Sequence, residues 1–142
     1  MSLSRKAALA LVTAATAAFA TAGAGVAQAE PGPDGSLYGS LALNENNGDS
    51  AWAVNYPDWA TSDANALEEC GGADCIVVAR FRDGCAAIAV NSDNEWTEGY
   101  GPTLRIAEQD AIRNLGPLAP PFPDLGSAAP KTAEILISHC TG

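Results

Sequence analysis

Few side chains in this sequence could carry a reaction. A serine hydrolase needs a base within hydrogen-bond reach of its nucleophile. The single histidine, His139, stands beside Cys140, and no Gly-x-Ser-x-Gly elbow occurs. A Cys-His protease needs a free thiol, which the even set of four cysteines argues against, so His139 reads as a strand-end residue. A glycosidase needs two carboxylates at a fixed separation. Glu95 with Glu98 and Glu68 with Asp110 are the candidate pairs, although solvated surface charge accounts for them more simply.

Asn44-x-Asn46-x-Gly48-Asp49 has a superficial likeness to a calcium loop, but glycine stands at position five instead of six and Asn55 replaces the bidentate glutamate. The segment reads as a hairpin turn. No phosphate-cradling glycine loop or dinucleotide fingerprint occurs, and widely spaced cysteines with one histidine do not make a zinc site. No catalytic residue, metal or cofactor is therefore expected. Trp52, Trp59, Trp96 and Tyr100 could stack on sugars if exposed, but in so aromatic-poor a chain they are expected in the core or on strand faces.

The elements that would position these residues follow a regular order. Residues 37–44 and 49–56 read as strands around Asn47-Gly48, a dipeptide suited to the positive φ of a tight hairpin, with Trp52, Val54 and Tyr56 on one face. In residues 59–70, Ala60, Ala64, Leu67 and Cys70 recur at helical spacing behind the capping candidates Asp58, Thr61 and Ser62, and Gly71-Gly72 ends the helix. Residues 75–81 form an apolar, β-branched run, Asp83-Gly84 turns the chain, and residues 85–91 return as a strand.

The order then repeats. Leu41-Ala42-Leu43-Asn44 matches Ile88-Ala89-Val90-Asn91, and Asn65-Ala66-Leu67 matches Asp110-Ala111-Ile112, at separations of 47 and 45 residues. Strand 95–100 precedes a second helix, opened by Gly101-Pro102 with proline at its favoured first position and carrying Leu104, Ala107, Ala111 and Leu115 on one face. Residues 134–140 close the second unit as 75–81 close the first. The expectation is an α+β fold of two related β-β-α-β halves forming antiparallel sheets with two helices, the sheets burying the helices or packing on each other.

The N-terminus places the domain outside the cytoplasm. Arg5 and Lys6 precede an apolar, alanine-rich stretch from residue 7 to about residue 26, and Ala27-Gln28-Ala29 has the small-x-small form of a cleavage site. The reading is a signal peptide over 1–29, a flexible leader over 30–36 and one domain over 37–142, secreted or held in the envelope, with no membrane span in the mature form. The mature 113 residues suffice for a single core and carry 5 basic against 17 acidic residues, a formal charge of −12. Such a surface repels phosphate backbones and anionic lipid, so nucleic acid is excluded as a partner. A protein partner is compatible with it.

In this compartment Cys70, Cys75, Cys85 and Cys140 read as two disulfides. Three pairings are possible, and Cys70 with Cys75 and Cys85 with Cys140 is the one expected. The halves differ most between helix and last strand, where the first uses four residues and the second uses residues 116–131. This long segment holds five prolines and the apolar Leu118, Phe122 and Leu125. Proline lowers the entropy cost of holding a loop out for a partner, so these three residues are the candidate contact surface; the plainer reading is a stiff linker packed on its own core.

Tyr38-Gly39-Ser40-Leu41-Ala42-Leu43-Asn44, the alanine-rich helix ending at Cys70, Cys75-Ile76-Val77-Val78 and Cys85-Ala86-Ala87-Ile88-Ala89 together resemble the domain of unknown function 4189 family over residues 38–140. The family consists of small exported domains common in actinobacteria. The resemblance implies export and a disulfide-bearing α+β fold, with no agreed activity, substrate or catalytic residue. It also implies further cysteines at the end of the second helix and before the last strand, where this chain has Leu115 and a residue preceding Glu134. The leading functional expectation is a non-enzymatic binding or effector protein; the alternatives are an inhibitor of an exported hydrolase and a small carboxylate-dependent envelope hydrolase.

Overall fold

The computed structural model describes residues 30–118 and 131–142. Its elements are β1 (Tyr38–Asn44), β2 (Ser50–Tyr56), α1 (Trp59–Cys70), β3 (Cys75–Arg82), β4 (Cys85–Asn91), β5 (Trp96–Gly101), α2 (Leu104–Asn114) and β6 (Ala133–Cys140). They form two three-stranded antiparallel sheets, ordered β2-β1-β3 and β5-β4-β6. The fold is the expected α+β arrangement of two β-β-α-β halves. The sheets both pack on each other and bury the helices, which gives four layers in the order helix, sheet, sheet, helix.

Side-chain alternation decides which residue enters which layer. Between the sheets lie Leu41, Ala79 and Phe81 of the first half against Ala86 and Ile88 of the second. Leu41 and Ile88 are fully buried there, and each contributes roughly 2 kcal/mol by leaving water. On the outer faces the residues are small: Ala42 and Ala53 meet Ala66 of α1, and Ala87 and Ala89 meet Ala107 and Ala111 of α2. Because the middle strands β1 and β4 are covered on both faces, they read as continuous apolar runs instead of alternating ones.

The small outer residues let the helices lie almost on the sheets. A Cβ at Gly99 of β5 would collide with Ala111 N and Ala107 O of α2. α1 is capped by Asp58, whose carboxylate accepts from Thr61 N–H at 2.7 Å, and ends at Gly71 in the left-handed conformation. Its buried face differs from expectation. Ser62 and Ala66 face the sheet, while Ala60 and Ala64 are exposed. The Ser62 hydroxyl donates to Ala53 O at 3.0 Å, which removes the cost of burying it. In α2, Ala107 and Ala111 are buried as expected, Leu115 packs beside them, and Leu104 is exposed. Thr103 is the N-cap of α2, so Pro102 precedes the cap and is not the first helical residue.

Trp52, Val54 and Tyr56 do not share a face. Asn55 has φ 69° and is skipped in the β1–β2 pairing, which runs from Gly39 with Val54 to Tyr38 with Tyr56. This bulge sends Val54 to the inter-sheet core and Tyr56 to the α1 side. Three of the four aromatics stand on strands, as one of the two expected placements had it, Trp52 on β2 and Trp96 and Tyr100 on β5, while Trp59 opens α1; Trp52, Trp59 and Tyr100 are each more than 40% exposed, and Trp96 alone of the four packs against the central core. Aliphatic residues and Phe81 already fill the space between the sheets.

The two halves agree in detail. β3 slips by one residue opposite Leu41 and Ala42, leaving Val78 unpaired; β6 slips opposite Ile88 and Ala89, leaving Leu136 unpaired. Both extra residues enter the inter-sheet core. Asn44 Oδ1 accepts from Asn46 N–H at 3.0 Å, and Asn91 Oδ1 accepts from Asp93 N–H at 2.9 Å. The same side-chain turn therefore leaves each central strand. Disulfides join Cys70 to Cys75, fastening α1 to β3, and Cys85 to Cys140, which stand opposite each other across β4 and β6. Residues 30–36, expected as a loose leader, fold as a turn in which Gly32 N–H donates to Ser36 O and the Tyr38 hydroxyl donates to Asp34 at 2.7 Å.

Candidate functional site

The turns that leave β1 and β4 lie at the same end of the sandwich, and a cleft of about 330 Å³ opens between them. Its volume falls at the small end of ligand pockets, about 300–1,000 Å³. Leu43, Val90, Trp96 and Leu136 supply the apolar lining; Leu43 is buried and the other three are half-buried. Asn44 is also buried, and the outer polar lining comes from exposed Glu45, Asn46, Asn47, Asn94 and Glu134. Asn94 has φ 60°, the left-handed conformation that asparagine tolerates at a turn.

One hydrogen bond fixes the two walls relative to each other. Trp96 Nε1–H of β5 donates to Glu45 Oε1 at 3.0 Å, linking the second sheet to the β1–β2 turn of the first. Asn47 is tied down locally, its side chain donating to Asp49 Oδ2 and accepting from Asp49 N–H. Among the described residues the lining contains two carboxylates and no lysine or arginine.

Leu118 and Lys131, described residues near the two ends of the segment 116–131, meet close to this cleft. Lys131 N–H donates to Leu118 O at 2.7 Å, joining these two residues. Lys131 Nζ lies 2.9 Å from Asp93 and 2.8 Å from Glu95, in the β4–β5 turn that also contributes Asn94 to the cleft. Donating hydrogen bonds to these two carboxylates raises the lysine pKa, and the Lys131 ammonium with the Asn91 amide holds Glu95 below the usual glutamate range. Of the three loop residues singled out in the sequence, Leu118 stands half-buried at this junction, and Phe122 and Leu125 lie outside the described residues.

Glu95 is engaged by Lys131, and Glu68 and Asp110 sit on helices that cover opposite faces of the sandwich. Asp110 itself accepts from Tyr100 N–H at 3.1 Å. His139 lies within β6 opposite Ala86, its ring stacked on Trp52, and burial pushes its pKa down. Among the described residues no group of three or more His, Cys, Asp or Glu could hold a metal. No helix among them is long and apolar enough to cross a membrane.

Sequence reasoning singled out Trp96 and the Asn44–Asp49 segment but not the cleft they form with Asn94 and Glu134. The lining comes from three stretches separated by tens of residues, and no local pattern connects them.

The chain belongs to the domain of unknown function family DUF4189, whose model matches residues 38–140. It is 39% identical over 80 residues to Protein Rv1269c of Mycobacterium tuberculosis, a match covering 56% of this chain and 62% of that protein. It is 38% identical over 79 residues to the uncharacterized protein Rv1813c of the same species, covering 55% of this chain and 52% of that one. The matched segment thus spans less than two thirds of either relative. No solved structure matches the chain.

Proposed function

We propose that the protein is exported on a signal peptide over residues 1–29 and that the domain over 37–142 acts as a non-enzymatic binding module. Its contact surface is the end of the sandwich where the cleft opens and residues 116–131 leave and rejoin the fold. The observation that carries this reading is the anchoring of Lys131 by Asp93 and Glu95 in the turn that borders the cleft. A long loop costs entropy to present, and an ion-paired, hydrogen-bonded base keeps its ends fixed. Phe122 and Leu125 then supply the apolar part of the contact. The two disulfides support a life in an oxidising compartment.

Replacing residues 119–130 by a four-residue glycine-serine linker in the oxidised chain 30–142 tests this. Capture of a partner from envelope, culture or host extracts should be lost while the circular dichroism and both disulfides are retained. Unchanged capture would remove the loop from the contact surface. Glu45 and Glu134 lining one cleft favour a second reading, a carboxylate-dependent hydrolase of envelope glycans. Glycan release that vanishes in both Glu45→Gln and Glu134→Gln would establish it.

A further inference from the structure

We infer that the cleft between the β1–β2 turn and the second sheet receives an arginine side chain from the partner. The inference rests on the binding-module reading and names what the cleft contributes to it. The lining has the order of an arginine side chain. Leu43, Val90 and Leu136 offer apolar surface to the three methylenes, and the exposed rim offers the carboxylates of Glu45 and Glu134 to the guanidinium. Trp96 adds an aromatic wall of the kind on which guanidinium stacks. Its indole is held in place by the hydrogen bond to Glu45 Oε1, and among the described residues no side chain occupies that carboxylate's second oxygen.

Charge selects among occupants. Among the described residues no basic side chain lines the cleft, so a phosphate or carboxylate ligand would meet the two acids Glu45 and Glu134. The nearby Lys131 is committed to Asp93 and Glu95. With 17 acidic residues in the chain against 7 basic ones, two of which lie in the first 29 residues, a basic partner is favoured at long range as well. Arginine is preferred to lysine because a planar fork can engage a carboxylate and an indole at once, whereas an ammonium is a compact, strongly hydrated charge.

The test uses the oxidised chain 30–142 labelled with ¹⁵N and the peptide acetyl-Gly-Arg-Gly-amide, with its citrulline counterpart as an isosteric neutral control. The arginine peptide should shift the Trp96 indole N–H and the side-chain amides of Asn46 and Asn94, and the citrulline peptide should bind at least ten-fold more weakly. Glu134→Gln should weaken arginine binding at least five-fold with the rest of the spectrum unchanged, whereas Glu68→Gln, on exposed α1 surface, should not. Equal binding of the two peptides, equal losses from Glu134→Gln and Glu68→Gln, or shifts outside the cleft would overturn the assignment. So would a chitin oligosaccharide that shifts the cleft signals when the arginine peptide does not. The titration needs no natural partner and leaves residues 119–130 intact, whereas the loop replacement leaves both cleft carboxylates in place, so the two readings fail separately.

Discussion

Trp52 of β2 and His139 of β6 stack with ring centroids 3.8 Å apart and 24° between their planes. Each belongs to an edge strand of a different sheet, so the stack ties the open side of the sandwich together. Burial lowers the His139 pKa from its ordinary 6.5. A base whose folded pKa is depressed resists protonation in the native state only, so its stabilising effect is complete above pH 6.5 and declines as pH falls through that value towards the folded pKa. Chemical denaturation near neutral pH and one to two units below should show this decline, and His139→Phe should flatten it. An NMR titration placing His139 at or above 6.5 would contradict the assignment.

The acid limb below that range belongs to carboxylates. The Tyr38 hydroxyl lowers Asp34, Thr61 N–H lowers Asp58, and Lys131 lowers Glu95. Each contributes stability that is present above its ordinary value, 3.8 for aspartate and 4.5 for glutamate, and is lost as pH falls through the folded value. Glu95→Gln should therefore lessen the loss of stability on acidification below 4.5 without changing the His139 region. Urea midpoints measured across both ranges separate the two groups.

Gly99 is required by the closeness of α2. An alanine methyl there would strike the helix backbone at Ala107 and Ala111, which cannot move without opening the cluster of Cys85, Ala87 and Ala89. Gly99→Ala should cost at least about 2 kcal/mol, within the range for overpacked cores. Gly48, which has φ 78° and open space around it, should lose only about 1 kcal/mol on the same change, from the backbone alone. Denaturant unfolding of the two variants gives the comparison.

The two disulfides should differ in weight. Cys85–Cys140 spans 55 residues and Cys70–Cys75 spans 5. On loop-closure entropy, replacing the first pair by alanine should cost about 4 kcal/mol and the second about 2 kcal/mol. Thermal unfolding of both double variants checks the order, and a larger loss from the short loop would count against the entropic account.

The missing counterpart of the short bridge can be installed. Leu115 follows α2 as Cys70 ends α1, and Ala133 pairs with Asn91 as Cys75 pairs with Asn44. Leu115→Cys with Ala133→Cys should oxidise to a third disulfide, detectable as a loss of two hydrogen masses, and should stabilise by about 2–3 kcal/mol. Two free thiols after oxidation would show that the halves close differently.

How much of this could be read beforehand depends on the range of the interaction. All eight elements were legible, because hairpin turns, Asp58, Gly71 and runs such as Cys75-Ile76-Val77-Val78 act over a few residues. The helix faces were legible only in part. Alanine tolerates either side of a helix, and Ser62 could be recognised as interior only once Ala53 O was opposite it. The Asn55 bulge, which turns Tyr56 from one face to the other, leaves no periodic trace that a strict alternation would reveal.

The sequence by itself determined the secondary structure, the two-half order and the acidic balance, since each follows from local sterics or from composition. Tertiary structure alone decided that the sheets face each other, that Trp52 meets His139 and that Trp96 reaches Glu45 from 51 residues away. It also decided that Glu134 shares a cleft with Asn46 and Asn94. These relationships arise from packing four layers around Leu41 and Ile88, and packing joins residues by volume and distance, which chain order does not record.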